Sequence, residues 1–404
     1  MKSPSHPDTT TDAIPALGPV LPQGIKNGVS GQIGQQLFVG LGTAGRSIYA
    51  LDLDAQNAAW VEVAPFPGPP RDGAACAVVG GRLFVFSGLG MSVPDDAAAR
   101  VLQDVYEYDP TTDGWSRMDT KTPTGFLGAS AFQIDNDRIG LVGGVNTKIF
   151  DDFMIAAASA DPEKDPESWQ RILGAFMSMP PEGHKWNSKL WVYTISANEW
   201  SELGNNPYLP NTGAACVTVQ DGILLINGEI KPGLRTPQVK HIAFQQDAAN
   251  WSEQDPLPPL DGHALQDGLA GAFAGHASGV LLVAGGANFH GSRAVAQQGD
   301  WYAHLGLPKV WNREIYARHN GNWRVAGHLP HGLAYGASFE IPQGLLLVGG
   351  EDQTQTARTD VLLLTWNDEV GGVACTSLIP DACDLSWSND VERATHIHQQ
   401  GNMK

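Results

Sequence analysis

One short segment of the sequence, NGEIKPGLRT at 227–236, brings three charged side chains close together. Glu229 is a carboxylate beside a glycine, where it could accept a proton from a bound molecule as a general base. Arg235 follows in the same segment, and its guanidinium fork can hold a carboxylate through two parallel hydrogen bonds. The same residues would also suit an exposed salt bridge, so the segment predicts acid–base chemistry only if other features place it in a site.

Polar side chains recur at the matching place in other segments, directly after a glycine or close to one. They are Asn146 in GGVNTKIF, His290 and Arg293 in GGANFHGSR, and Glu351 in GGEDQTQT. Histidine can transfer protons near neutral pH. His290 is therefore a candidate for a second proton donor, as is His304, although an ordinary loop histidine fits the same pattern.

These candidates lie in loops that follow a repeated element, an apolar strand that ends in glycine. Six copies end at Gly42, Gly88, Gly144, Gly228, Gly286 and Gly350. A strand of small residues precedes most copies, as in DGAACAVV at 72–79, and an alternating strand follows, as in DVYEYDP at 104–110. A tryptophan then opens a last strand in five of the six units, at Trp60, Trp115, Trp200, Trp251 and Trp323.

Each unit thus contains four strands, and such units bury both faces only by stacking around an axis. The repeats predict an all-β, six-bladed β-propeller in one domain, with blades over about 24–378 of the chain. The glycines allow sharp turns where a side chain would clash, and each tryptophan supplies an apolar wedge between blades. The glycine doublet, the aromatic strand and the tryptophan in this order resemble the kelch repeat.

A long insertion interrupts the third unit at about 147–189, and its middle is helix-like with prolines on either side. We expect a partly helical insertion in blade three that covers one face of the propeller. Inserted loops of this length are usually functional or part of an interface, so the segment is also a possible homodimer contact. A polar tail follows the blades at about 385–404.

The composition excludes several classes of protein. Lys and Arg number 25 against 43 Asp and Glu, giving a net charge of −18, which argues against nucleic acid or an anionic membrane as partner. No apolar run reaches the roughly 18 residues of a membrane-spanning helix. No CxxC or HExxH pattern is present, so we expect neither a metal nor another cofactor. The N-terminal MKSPSHPDTTTDAIP lacks the apolar core of a signal peptide, which predicts a cytoplasmic location if Met1 is native.

Five stretches are more specific than the repeat. They are FPGPPRDG (66–73), GGVNTKIFDDF (143–153), LINGEIKPGLRT (225–236), GGANFHGSR (285–293) and AYGAS (334–338). Through them the chain resembles the N-acetylneuraminate epimerase family, the kelch-type sialic acid mutarotases. The resemblance implies that Glu229 is the catalytic proton acceptor, that Arg235 is its partner, and that the location is periplasmic.

The reaction implied by this resemblance exchanges the α- and β-anomers of N-acetylneuraminic acid. A base takes the proton of the anomeric hydroxyl, an acid protonates the ring oxygen, and the ring opens and closes again. Because the substrate is an anion and the protein is acidic, local arginines must attract it, and Arg71, Arg235 and Arg293 are the candidates. With Asn146 and His290, they complete the expected catalytic and substrate-binding set.

Two other classes of function stay open at this level. A non-catalytic kelch propeller would bind glycan or protein at the mouth of the ring and would not need Glu229. A metal-radical oxidase on a propeller would need a Tyr, Cys and His ligand set, whereas the four cysteines here occupy strands or the tail.

Overall fold

The computed structural model describes residues 20–93, 96–245, 248–260 and 262–378. Six four-stranded antiparallel sheets follow one another along the chain, and their innermost strands contact each other all the way around. The predicted six-bladed β-propeller is therefore confirmed. The chain before residue 20 and the polar tail at 385–404 lie outside the described residues.

The blades are numbered I to VI and the strands along the chain. Blade I contains β1 (Val29–Ile33), β2 (Gln36–Gly40), β3 (Ile48–Asp52) and β4 (Val61–Val63). Blade II contains β5 (Ala75–Val79), β6 (Arg82–Phe86), the ribbon strands β7 (Leu89–Gly90) and β8 (Arg100–Val101), β9 (Asp104–Asp109) and β10 (Gly114–Lys121). Blade III contains β11 (Ser130–Gln133), β12 (Arg138–Val142), β13 (Lys189–Thr194) and β14 (Glu199–Asn205).

The second half of the ring repeats this plan. Blade IV contains β15 (Ala215–Val219), β16 (Gly222–Ile226), the ribbon strands β17 (Glu229–Lys231) and β18 (Leu234–Arg235), β19 (Val239–Gln245) and β20 (Ala248–Gln254). Blade V contains β21 (Phe273–Ala277), β22 (Val280–Ala284), the ribbon strands β23 (Ala287–Asn288) and β24 (Val310–Trp311), β25 (Glu314–His319) and β26 (Asn322–His328). Blade VI contains β27 (Ala337–Ile341), β28 (Gly344–Val348), β29 (Val361–Asn367) and β30 (Gly372–Ser377).

The helical residues lie in the loops between strands. The blade III insertion forms α1 (Thr147–Ala158), α2 (Pro166–Met177) and a 3-10 turn (Pro181–His184), and blade V carries α3 (Ser292–Gln297). A second 3-10 turn (Gly42–Ala44) follows β2. Asn146 caps α1 by accepting from the amide of Ile149 at 3.0 Å. The insertion of blade III is thus partly helical, as the sequence predicts.

The second strand of each blade is apolar along almost its whole length, because each blade lies between two others. In β22 and β28 every residue is buried, and in β6 and β16 only the first residue is more exposed. A strand covered on both faces needs no polar alternation. The outermost strands β14 and β20 are instead mostly exposed.

Trp115, Trp200 and Trp323 each connect their blade to the one before it through the indole N–H. Trp115 donates its indole N–H to the carbonyl of Ala64 at 2.9 Å, across the junction between blades II and I. Trp200 reaches the hydroxyl of Thr120 at 3.2 Å in the same way between blades III and II. The aromatic body packs between the sheets while the N–H finds a partner on the neighbouring blade.

Six residues, one from each blade, form a closed ring of backbone hydrogen bonds at one end of the propeller axis. Each amide donates to the carbonyl of the equivalent residue in the blade before it, over 2.7–3.0 Å. The six ring residues are Asn27, Gly73, Gly128, Gly213, Gly271 and Tyr335. All six have positive φ, between 53° and 70°, where glycine is the most readily accommodated residue.

The ring residues separate two regions of the axis. The innermost strands continue beyond them and line a central channel of about 310 Å³, whose walls are mostly glycine, alanine, serine and cysteine. The opposite side holds the residues just before each ring residue, together with the loops that follow the second strand of each blade. We call this side the loop face. The polar residues singled out in the sequence lie in its loops.

Within residues 20–378, as far as the structure describes them, no strand is exchanged between the first and last blades, since each of the six sheets is built from one continuous stretch of chain. The segment 21–27 closes the ring instead. Ile25 donates to the carbonyl of Arg358 at 3.1 Å and accepts from the amide of Gly350 at 2.8 Å. Leu21 and Ile25 are buried in the same apolar cluster as Leu346 of blade VI, so hydrophobic packing reinforces these bonds.

The ring residues provide a paired test of the fold. A Cβ at Gly271 would lie 2.2 Å from Cδ1 of Tyr335, whereas a Cβ at Gly213 would meet nothing closer than the amide nitrogen of Gly271, 3.7 Å away. Gly213→Ala should therefore cost only the positive-φ penalty of about 1–2 kcal/mol, and Gly271→Ala clearly more. Urea unfolding of both variants measures the difference, and equal losses would contradict the packing of Tyr335 across the ring.

Candidate active site

The residue after the glycine that ends each second strand occupies an equivalent place in every blade, where its backbone pairs with the residue just before the ring. The six equivalent residues are Thr43, Leu89, Val145, Glu229, Ala287 and Glu351. Two of them are carboxylates, in blades IV and VI. Blade V between them contributes only the methyl group of Ala287, so the two carboxylates border the axis on either side of a small residue.

Glu229 is held by Arg235, its partner in the antiparallel register of the β17–β18 ribbon. The guanidinium Nη2 lies 2.9 Å from Oε1 of the carboxylate. The Glu229 side chain is 25% exposed, whereas that of Arg235 is only 3% exposed. The structure therefore brings together the two residues that the sequence nominates as catalytic, with the carboxylate open to solvent and the cation behind it.

The surroundings of Arg235 fix the guanidinium in place. Its Nε donates to the carbonyl of Ala287 at 3.2 Å, and its Cζ lies 4.8 Å from the ring centroid of Phe289. Nη1 is buried without a hydrogen-bond partner among the described residues. A guanidinium engaged on three sides by this chain is well suited to orienting Glu229 and less accessible to a bound ligand.

Lys231 lies in the same ribbon and is fully buried. Its ammonium donates to the carbonyls of Met177 at 2.8 Å, Trp301 at 2.9 Å and Pro232 at 3.1 Å. Burial lowers the pKa of Lys231 to about 8, against the raising effect of the Glu229 charge. Lys231 thus ties the end of α2, from the blade III insertion, and the loop of blade V to the ribbon that carries Glu229.

The β23–β24 ribbon of blade V connects the two carboxylates. Ala287 and Trp311 face each other in its register. The Ala287 carbonyl accepts from Arg235, as described above, and the Trp311 indole N–H donates to Oε1 of Glu351 at 3.0 Å. One short ribbon therefore sets the position of the Glu229–Arg235 pair on one side and of Glu351 on the other.

Glu351 is surrounded by cationic groups. Lys309 donates to its Oε1 at 2.8 Å, and Lys26 donates to its Oε2. Burial would raise the pKa of Glu351, but the hydrogen bonds from Lys26 and Lys309 outweigh it and hold the pKa below its usual range. A carboxylate this well satisfied is a poor proton acceptor, so Glu229 is the better candidate for the base.

His304 is less suited to proton donation than the sequence predicts. Burial lowers the pKa of His304 to about 4, with the charges of Lys231 and Arg235 adding to the effect. His304 is therefore neutral at physiological pH and cannot act as an imidazolium acid there. His290 lies 3.8 Å from a carboxylate oxygen of Asp267, so a local contact accounts for part of its environment, and its proposed role stays a prediction.

Arg71 already has hydrogen-bond partners for its guanidinium within this chain. Its guanidinium is buried and pairs with both carboxylate oxygens of Asp104, at 2.6 and 3.2 Å, and also donates to the Ser87 carbonyl at 2.9 Å. It lies 4.7 Å from the Phe66 ring centroid. A substrate carboxylate would have to compete with Asp104 for this fork, so substrate binding by Arg71 stays a prediction that these contacts do not favour.

The remaining two expected binding residues have structural contacts as well. The side-chain oxygen of Asn146 caps α1, as described above. Arg293 lies in the first turn of α3, where its amide donates to Oδ1 of Asp267 at 3.2 Å and its Nη1 donates to the carbonyl of Gln266 at 3.0 Å. Both side chains are half-buried, and their proposed contact with a substrate stays a prediction.

Lys26, Lys309 and Trp311 were not identified as site residues from the sequence. Each is an ordinary residue in its local segment, and the three come together only because blades I, V and VI meet at the loop face. The sequence did contain one indication: Glu351 occupies the same place in its repeat as Glu229. A carboxylate at that place is expected to have cationic partners.

In the described part of the chain, no group of three or more His, Cys, Asp or Glu side chains is arranged to hold a metal ion. No helix among the described residues is long and apolar enough to span a membrane.

The fold and the site together define a class: a closed six-bladed propeller with a solvent-facing carboxylate, oriented by a buried arginine, beside its axis. The sequence model of the N-acetylneuraminate epimerase family matches residues 18–371. The chain belongs to this family, which confirms the resemblance seen in the sequence.

Individual relatives agree with the family assignment. An N-acetylneuraminate epimerase from Brucella melitensis is 47% identical over 350 residues, covering 86% of this chain and 90% of the relative. One from Vibrio cholerae is 43% identical, covering 86% and 91%. The solved structure of YjhT superimposes with a TM-score of 0.83 at 35% identity, covering 89% of this chain and 99% of YjhT.

Proposed function

We propose that this protein is a sialic acid mutarotase, an isomerase that interconverts the α- and β-anomers of N-acetylneuraminic acid. The observation that carries the proposal is the ion pair of Glu229 and Arg235 at 2.9 Å on the loop face, in a chain of the N-acetylneuraminate epimerase family. A partly exposed carboxylate on a rigid ribbon has the position that a general base requires.

In the proposed reaction, Glu229 accepts the proton of the anomeric hydroxyl. The bond between the anomeric carbon and the ring oxygen breaks, the ring oxygen takes up a proton from solvent, and an open-chain 2-keto acid results. Rotation of the keto group lets the freed hydroxyl attack its other face, which gives the second anomer. The attacking hydroxyl returns its proton to solvent, and Glu229 returns its proton to the new anomeric oxygen. Arg235 keeps the Glu229 carboxylate oriented toward the anomeric hydroxyl. The rate depends on this positioning of the base relative to the proton that it removes.

One-dimensional proton NMR of freshly released α-N-acetylneuraminic acid tests the proposal. A sialidase that releases the α-anomer provides the starting material, and the decay of its signals is followed with and without the protein. We expect much faster equilibration in the presence of catalytic amounts of protein. An unchanged decay together with measurable ligand binding would instead support the non-catalytic propeller.

The compartment and the assembly state extend this proposal. The family resemblance supports a periplasmic location. The blade III insertion supports a homodimer contact through α1, where Ile155 is 40% exposed. Fractionation of the native host and sedimentation of the purified protein test these two expectations.

A further inference from the structure

We propose that Lys309, assisted by Lys26, binds the carboxylate of the substrate, and that Arg235 acts only by positioning Glu229. This inference rests on the proposed function, because it assigns the ionic contact of the same substrate. It concerns the cluster formed by Lys26, Lys309, Trp311, Tyr335 and Glu351, which we call the lysine cluster.

The distribution of charge on the loop face points to this cluster. The Glu229–Arg235 pair is neutral as a unit, since one cation balances one anion, and the ammonium of Lys231 beside it is fully buried and held by three backbone carbonyls. The lysine cluster holds two cations against the single carboxylate of Glu351. Its five residues therefore carry one net positive charge, part of which the exposed carboxylate of Asp72 offsets beside Lys26. Local positive charge is what an anionic ligand needs in a protein of net charge −18.

Accessibility supports the same choice. The Lys309 side chain is 28% exposed and that of Lys26 20% exposed, against 3% for Arg235. An ammonium has three donor hydrogens, and Lys309 uses one of them on Glu351. An ammonium that is exposed and has unused hydrogens can donate to the carboxylate of a ligand. The guanidinium of Arg235 is buried, so a ligand could reach it only after the surrounding side chains had moved.

The aromatic residues of the cluster hold the Lys309 ammonium next to the axis. Its Nζ lies 4.4 Å from the ring centroid of Trp311 and 4.7 Å from that of Tyr335. Tyr335 belongs to the hydrogen-bonded ring around the axis, and Glu351 pairs through its backbone with Ala334, the residue before it. The ammonium is thus fixed on the same face, and around the same axis, as Glu229.

The backbone of Tyr335 supplies an independent observation. Its φ of 65° is in the left-handed region, where four of the other five ring residues are glycine and the fifth is asparagine. A bulky residue in this conformation is strained, and such strain is typical of functional positions. The contact between its aromatic ring and the Lys309 ammonium is a reason for a tyrosine at a position where the fold favours glycine.

The test compares N-acetylneuraminic acid with its methyl ester, which retains the anomeric hydroxyl and lacks the negative charge. For the wild-type protein, the ester should have a KM about 10–100-fold higher than the acid, the loss expected for one hydrogen bond to a charged group. In Lys309→Met the KM of the acid should rise by a similar factor and the preference for the acid should disappear. Lys309→Arg should restore most of it.

Two controls separate this effect from general damage. Lys189 lies 5.4 Å from the ring centroid of Trp191 and pairs with Glu202 at 2.5 Å, so Lys189→Met removes a similar arrangement in blade III, outside the lysine cluster. It should leave the preference for the acid unchanged. Arg235→Lys should also keep the preference, even if its turnover is low. Loss of the preference in Arg235→Lys, or its persistence in Lys309→Met, would overturn the assignment.

Failure of the proposed function gives a different result. If the wild type binds the acid without accelerating anomer exchange, the mutarotase proposal fails, and calorimetric Kd values for acid and ester in the same variants still decide the role of Lys309. If the wild type binds neither compound, both proposals are overturned.

Discussion

Glu229→Gln should slow the enzyme-dependent exchange of sialic acid anomers by about 10²–10⁴-fold, the usual loss when a general base is removed. Glutamine has the shape of glutamate but does not accept the anomeric proton. Its amide oxygen can still face Arg235, which limits the disturbance of the buried guanidinium. Substrate binding should survive, because the lysine cluster is untouched. The NMR decay assay gives the rate, and calorimetry gives the Kd.

The matched control is Glu253→Gln, the same replacement of a carboxylate by an amide at an exposed glutamate in β20 of the same blade. It should keep the full rate and unfold within a few degrees of the wild type, since surface substitutions usually change stability by less than about 0.5 kcal/mol. Glu229→Gln should unfold at a lower temperature, because the buried guanidinium of Arg235 loses its counter-charge. A Glu229→Gln protein that equilibrates the anomers at the wild-type rate would remove Glu229 from the mechanism.

The fold was predictable from the sequence because the residues that define each blade are close together in the chain. The apolar strand and the glycine that ends it recur in all six units, and the tryptophan of the last strand recurs in five of them, so the pattern is repeated many times over. Glu229 and Arg235 were predictable for the same reason. They face each other across one short ribbon, so their pairing follows from nearby residues alone.

The lysine cluster was not predictable in this way. Lys26 and Glu351 are 325 positions apart, and Lys309 reaches the same carboxylate from a third blade. Their meeting depends on closure of the whole ring, which no local pattern records. The burial of Arg235 depends likewise on Phe289 and on the carbonyl of Ala287 in the next blade. Partners supplied across blade junctions therefore decide which cations remain available to a ligand.

Arg235→Ala should lower kcat by about 10–100-fold with little change in KM. Without the guanidinium, Glu229 loses the contact that orients it, and a misplacement of about 1 Å can cost roughly 10²-fold in rate. The Ala287 carbonyl also loses its donor, so we expect stability to fall by about 1–3 kcal/mol. Arg235→Lys should be intermediate, because one ammonium cannot reproduce the fork that spans Glu229 and Ala287.

The control for Arg235 is Arg324→Ala in β26. Arg324 also donates to a backbone carbonyl, that of Gly371, and lies 5.6 Å from the ring centroid of Trp366. It should lose stability without losing turnover. The split between kcat and KM then distinguishes the two roles of Arg235: a fall in kcat marks a residue that acts through Glu229. A rise in KM with unchanged kcat would mean that Arg235 itself holds the substrate carboxylate, as the sequence first suggested, and that the lysine cluster does not.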